Sequence, residues 1–198
     1  MNTCLFVDGE NFLFKVEDCL KEQGVSRKDV DLSRIDISTL IKSTLPKYKV
    51  TKKFCYSARL KMFENTREKS IELIKRQRVL KTNLEKQGFE FVLAGNVRPF
   101  EFIVGGKKKL MFKEKGVDVR IAVDLVSFSC DKKIDTAILC SSDSDLQPAV
   151  YEARRRGVKV VYLGFENAPN KGLTYTTDKT VLFRNHEILQ VIPKKKTS

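Results

Sequence analysis

The feature that most constrains the fold is a repeated local pattern, in which a strand-length apolar run stops abruptly on acidic and small polar residues. Cys4-Leu5-Phe6-Val7 stops at Asp8-Gly9-Glu10-Asn11, and Thr136-Ala137-Ile138-Leu139-Cys140 stops at Ser141-Ser142-Asp143-Ser144-Asp145. Runs without polar alternation read as strands buried on both faces, as in parallel sheets. Each is followed by helical spacing, residues 12–20 after the first and Leu146, Ala149, Val150 and Ala153 after the second. The pattern predicts an α/β fold. Open α/β sheets bind ligands just outside the carboxyl ends of their strands, which is where Asp8, Asp143 and Asp145 fall.

The intervening chain fills in the layers. Asn11 is positioned to cap the first helix, and Gly9 to allow a tight turn. The plainer alternative is that Asp8 or Asn11 does no more than cap. Residues 24–33 read as loop, Asp36 starts a helix that ends before Pro46, and residues 50–56 form a strand with Arg59 and Lys61 after it. Residues 65–87 are the longest helical pattern, apolar at Ile71, Ile74, Val79 and Leu84 and otherwise crowded with Lys and Arg, with Gly88 as its stop. Residues 89–94, 100–104 and 109–112 read as strands, the last two joined through Gly105-Gly106 as a hairpin with the basic tip Lys107-Lys108-Lys109.

A further helix runs from Gly116 to about Ser129. It is apolar almost all round, so it is expected to be buried against the sheet with Asp118 in its first turn. Asp124 lies six residues on, about 9 Å along the axis. The two cannot both ligate one ion directly, so Asp118 is the expected ligand and Asp124 a supporting or structural acid, bonding a backbone N–H or a serine of the 141–145 turn. Asp145 is a candidate helix cap as well as a ligand, and Pro148 is tolerated in a first turn. Arg154-Arg155-Arg156 sit in a last helical turn before Gly157, where the helix dipole accounts for them. Residues 158–163 form another buried strand, a short helix lies near Leu173, and Val181-Leu182-Phe183 is apolar. Residues 1–192 read as a single domain and 193–198 as a fraying basic tail.

Composition narrows the partner. The 198 residues carry 38 Lys and Arg against 25 Asp and Glu, a net charge of +13. A chain this basic that gathers acids at a few turns suggests a polyanion whose phosphates the lysines attract. The five cysteines are scattered, with no CxxC pair and one histidine, which argues against structural zinc and for a reduced, cytoplasmic setting. No run approaches the ~20 apolar residues of a membrane span, and no signal peptide is read. Homo-oligomerisation is left open.

Asp8, Asp118, Asp143 and Asp145 are thus candidate ligands of Mg²⁺ or Mn²⁺, ions that take oxygen donors, keep waters and bind substrate phosphates. Such an ion orients a phosphodiester and activates water for in-line attack, so no protein nucleophile is required. There is no P-loop and no GxGxxG, and a serine triad would have to use His186, far off in sequence.

The ordered set Leu5-Phe6-Val7-Asp8-Gly9-Glu10-Asn11, Lys115-Gly116-Val117-Asp118-Val119 with Ala122-Val123-Asp124-Leu125, and Asp135 through Leu146 resembles the NYN-domain family (LabA-like), relatives of the PIN-domain nucleases. The resemblance implies a three-layer, PIN-like (Rossmann-like) α/β domain with a central, mainly parallel sheet and helices on both faces. It also implies a metal-dependent ribonuclease site at Asp8, Asp118, Asp143 and Asp145 with Asn11 beside them. Ser142 stands where family members carry glycine. The resulting expectation is an endoribonuclease supported by Asn11, Asp124 and Ser142, with Arg59, Lys107, Lys108, Lys109, Lys113 and Lys115 holding the RNA backbone. The competing expectations are an RNA-binding regulatory module with a weak or inactive site, and a small-molecule phosphohydrolase.

Overall fold

The computed structural model describes residues 2–104 and 107–195, excluding the side chains of 65, 98, 99, 101–104, 107–111 and 113. In chain order the elements are β1 (Thr3–Asp8), α1 (Gly9–Glu22), α2 (Ile37–Thr44), β2 (Val50–Arg59), α3 (Arg67–Lys86), β3 (Glu90–Val104), β4 (Lys107–Lys115), α4 (Val117–Cys130), β5 (Thr136–Cys140), α5 (Gln147–Arg155), β6 (Lys159–Phe165), α6 (Lys171–Thr176), β7 (Lys179–Phe183) and α7 (Asn185–Gln190).

The strands form one seven-stranded sheet in the order β4-β3-β2-β1-β5-β6-β7. Every neighbouring pair is parallel except the β3–β4 hairpin at one edge. β1 is central. The chain builds away from it through β2, β3 and β4, then returns to its other side with β5, β6 and β7.

Successive residues of β1 point to opposite faces and feed two cores. Leu5 and Val7 pack with Phe12, Val16 and Leu20 of α1 and with buried residues of α2, α3 and α7. Cys4 and Phe6 pack with Val117, Ile121 and Leu125 of α4 and with α5 and α6. The result is the expected three-layer α/β domain. Because α1 leaves β1 toward one face and α5 leaves β5 toward the other, the carboxyl ends of β1 and β5 flank a crevice where the strand order reverses, the usual ligand position in such sheets.

Several local expectations are revised. The stretch 24–33, expected as loop, contains two 3₁₀ turns capped by Ser26 and Asp31 and buries Val30 and Leu32. β3 is one continuous strand, bent at Gly95, whose φ is +65°. α4 is not buried all round. Val117, Ile121 and Leu125 face the sheet at i, i+4, i+8, while Val119 and Val123 are more than half exposed. Residues 193–195, expected to fray, are held: Lys194 forms a bridge with Val30, and the Lys195 N–H donates to the Asp29 carbonyl at 2.8 Å. Residues 196–198 lie outside the described residues. The five cysteines are free, and four of them are buried.

Gly9 also has a different reason from the one its sequence suggests. It begins α1 directly, and a Cβ there would stand 2.7 Å from the Tyr56 carbonyl oxygen of β2. The β1–α1 junction lies against β2 so closely that no side chain fits. Gly9→Ala is expected to destabilise the fold by about 1–3 kcal/mol, the usual penalty of overpacking, measured by urea unfolding; a loss under about 0.5 kcal/mol would show that the junction yields freely.

Candidate active site

Asp8 ends β1 and caps α1, its Oδ1 accepting from the Asn11 N–H at 3.1 Å. It is 6% exposed. Its other oxygen, Oδ2, accepts a long hydrogen bond from Ser141 Oγ at 3.4 Å, and Ser141 Oγ in turn accepts from the Asp143 N–H at 3.1 Å. The ends of β1 and β5 are therefore stitched through a buried serine, with Asp143, half-buried, at the head of its turn.

Two asparagines fix that turn from either side. Asn11 Oδ1 accepts from both the N–H and the hydroxyl of Ser142, each at 3.0 Å. Asn170 Nδ2 donates to the Ser142 carbonyl at 2.8 Å, while Asn170 Oδ1 caps α6 by accepting from Leu173 N–H. Ser142 thus has its amide, hydroxyl and carbonyl engaged where the family pattern has glycine. Asn11, expected as a cap, does not cap α1, whose N-cap is Asp8, and its side chain holds Ser142 instead; Asn170 was not singled out in the sequence. Its signal there is only that of an Asn three residues ahead of Leu173.

The carboxylates share an electrostatic field. Burial pushes Asp8 up to about 6; the Asn11 hydrogen bond opposes this, and the charges of Glu114, Glu10 and Asp143 add to it. Glu10 is raised by burial and by Glu114. Its side chain is reached by solvent yet surrounded by protein, because it lines a cavity. Glu114 is raised chiefly by burial, opposed by its hydrogen bond from Val117 N–H at 2.9 Å and reinforced by Asp118 and Asp143. Glu114, not singled out in the sequence, therefore sits amid Asp8, Glu10, Asp118 and Asp143. The available signal was a lone acid three residues ahead of a helix start.

The remaining candidates separate. Asp118 is half-buried in the first turn of α4 and joins the field through Glu114. Asp145 is exposed and caps nothing. Asp143 caps the 3₁₀ turn Ser144–Leu146 by accepting from Asp145 N–H at 2.9 Å, and α5 begins only at Gln147. Asp124 is not bonded to the 141–145 turn. Its carboxylate accepts from Tyr56 Oη at 3.0 Å and from Arg120 Nε at 2.9 Å, which makes it the partner of an otherwise unsatisfied buried phenol. Arg59 and Lys115 are exposed at the ends of β2 and β4, both opposite Asn96 on β3. The side chains of Lys107, Lys108, Lys109 and Lys113 lie outside the described residues. His186 is exposed on α7, beyond the edge strand β7.

The donor chemistry suits a hard cation: oxygen ligands only, a buried carboxylate disfavoured as an anion, and like charges around it. Among the described residues, however, no three His, Cys, Asp or Glu side chains are grouped closely enough to form a metal cage. The arrangement therefore fits an ion such as Mg²⁺, which keeps most of its waters and takes one or two carboxylates, and does not fit a site closed by protein on all sides.

A family model for the NYN domain matches residues 2–183. The chain belongs to the NYN domain family. That family is part of the PIN-like superfamily and is generally nuclease-like. Among solved structures, a protein of unknown function from Vibrio parahaemolyticus is similar in fold, with a TM-score of 0.57, 21% identity and 91% of each chain covered. No curated protein matches the chain. Among the described residues of this NYN domain, no helix is long and apolar enough to cross a membrane.

The raised Asp8 carboxyl sets a pH dependence. Its folded value lies above its unfolded one, so its favourable contribution to stability is full below the unfolded value, near 3.8, and is lost as pH rises through about 6. Asp8→Asn keeps an acceptor for Asn11 and carries no charge. Urea unfolding should show the variant more stable than wild type at pH 7.5, by an amount on the order of 2–3 kcal/mol, with the gap narrowing to about 1 kcal/mol at pH 4.5 and closing below the unfolded value. A wild-type advantage at pH 7.5 would contradict the burial argument.

Proposed function

We propose that this NYN domain is a metal-dependent endoribonuclease that hydrolyses RNA phosphodiester bonds. The observation that carries the reading is the pairing of Asp8 and Asp143 through Ser141 across the switch crevice, with Glu114 and Asp118 adding negative charge in a protein whose net charge is +13. A hydrated Mg²⁺ or Mn²⁺ held by Asp8 and Asp143 would neutralise charge on a bound phosphate and activate water for in-line attack.

The chain's own residues supply the rest. Ser141, Asn11 and Asn170 hold the Asp143 turn in register with β1, which supports the reading that the two carboxylates need no rearrangement at the moment of reaction. Asp118 contributes field through Glu114 rather than a direct contact with Asp8. Arg59 and Lys115 stand exposed at neighbouring strand ends, suited to backbone phosphates, and such contacts position the strand without reading its sequence. Asp124 supports the fold of α4 against Tyr56.

One observation favours the alternative of an RNA-binding module with a weak site: among the described residues the acids do not converge into a ready cage. The readings separate in one experiment. Single-stranded RNA incubated with Mn²⁺ or Mg²⁺ is expected to be cut, EDTA to stop cutting, and Asp143→Asn to slow it by at least roughly 100-fold, the scale of losing a transition-state contact. Asp145→Ala is expected to lose less than tenfold, since its exposed carboxylate is tied to none of the other acids. RNA bound without products, at an affinity unchanged by Asp8→Asn and Asp143→Asn, would establish the binding module instead.

A further inference from the structure

Next to the acidic rim, α1, the 27–33 segment, α3, β2, β3, β4 and Lys195 line a cavity of about 360 Å³ that the acid chemistry leaves unused. Its size falls in the range of small-ligand pockets. The wall is largely apolar, with Leu73 and Leu80 from α3 and Phe112 from β4, and Phe14, 61% exposed on α1, offers an open aromatic face. Phe112 is braced from behind by Phe63, their ring centroids 6.5 Å apart.

The cavity's polar lining is selective. Arg27 is already paired with Glu17 at 2.6 Å and with the Val30 carbonyl, and Arg76 with Glu72 at 2.6 Å, while the exposed Lys195 adds a cation to the lining. On the side that adjoins the rim, what meets a ligand is acceptor chemistry. Glu10 accepts no hydrogen bond among the described residues, and Glu114 has Oε1 engaged by Val117. Both line the cavity and both belong to the charge group around Asp8. A molecule spanning the two regions must carry phosphate at the acids, and an apolar, stackable body with hydrogen-bond donors in the cavity. A nucleotide has that layout. Single-stranded RNA is recognised by splaying bases onto aromatic side chains and hydrogen-bonding their edges.

We infer that this cavity receives one unstacked nucleobase of the RNA strand whose backbone lies over Asp8 and Asp143, and that Glu10 and Glu114 favour bases presenting an amino group over uracil. A carboxylate accepts from an exocyclic amine, whereas the one donor on the uracil edge, N3–H, is flanked on both sides by carbonyl oxygens that repel it. The inference rests on the ribonuclease reading for its strand, and its test is read out separately from cleavage.

With divalent ions omitted, hexamers of A, C and U are titrated into protein labelled at leucine methyls, while affinity is followed by fluorescence anisotropy. The A and C hexamers should shift the Leu73 and Leu80 methyl resonances and bind roughly tenfold tighter than the U hexamer, the scale of a hydrogen bond to a charged acceptor. Phe14→Ala, at a position too exposed to unsettle the core, should weaken A and C binding by at least roughly fivefold, as loss of one stacking partner does. Methyls unmoved by every hexamer, in protein that binds and cleaves RNA, overturn the inference and leave the ribonuclease reading standing. Methyls shifted and Phe14-dependent in protein that never cleaves uphold the base site and remove the ribonuclease reading. Two other occupants would also overturn it: the chain's own end, if hexamers reach the leucines only in a variant stopped at Lys195, and a second copy, if the same methyls shift with protein concentration alone.

Discussion

The arrangement depends on holding the Asp8 carboxylate at the buried end of the central strand. Hydrogen-bonded on both sides by β2 and β5 and covered on both faces, β1 cannot shift without disturbing either core. An anion at its tip is poorly solvated, and its partners are few: an amide N–H from Asn11 and a long bond from Ser141. Burial rather than neighbouring charge is the larger part of its elevated proton affinity. Such a group is unfavourable for folding at neutral pH, and strain of this kind concentrates where a protein meets a ligand.

The rest of the rim can be understood as support for that group. Gly9 lets α1 start flush against β2, so Asp8 remains at the mouth of the crevice instead of being lifted by a side chain. Asn11 and Asn170 hold the β5 turn through three groups of one serine. Gly95 has φ of +65° in β3 and Gly116 enters α4 with φ of +97°, so that β4 brings Glu114, and α4 Asp118, back toward the same acids. The negative field is local, and the surplus of lysine and arginine over the whole chain gives a polyanion reason to approach it.

Much of the framework was legible. Cys4 to Val7 and Thr136 to Cys140 announce themselves because strands buried on both faces are nearly continuous apolar runs, and the Asp36 helix because capping requires a short acceptor at a fixed spacing, whereas at the 141–145 turn the expected cap was Asp145 and the observed one is Asp143. Asp124 was legible as a buried acid but not by its partner, since Tyr56 lies 68 residues away and only the sheet brings it over α4. Glu114 was hidden for the same reason, as a single acid in an unremarkable setting, and its closeness to Glu10, two residues beyond Asp8, follows from β4 folding back beside β3. Val119 and Val123 misled because apolar residues all round a helix usually signal burial, whereas one layer of sheet covers only one side.

The sequence by itself determined the alternation of buried strands and helices, the acids at strand ends and the positive charge that favours an anionic partner, because these follow from periodicity, capping and counting charge. The tertiary structure alone decided which acids share a field, which serve the fold and where an apolar cavity opens beside them. Those facts depend on strand order and on distances between residues remote in the chain, which no local pattern encodes.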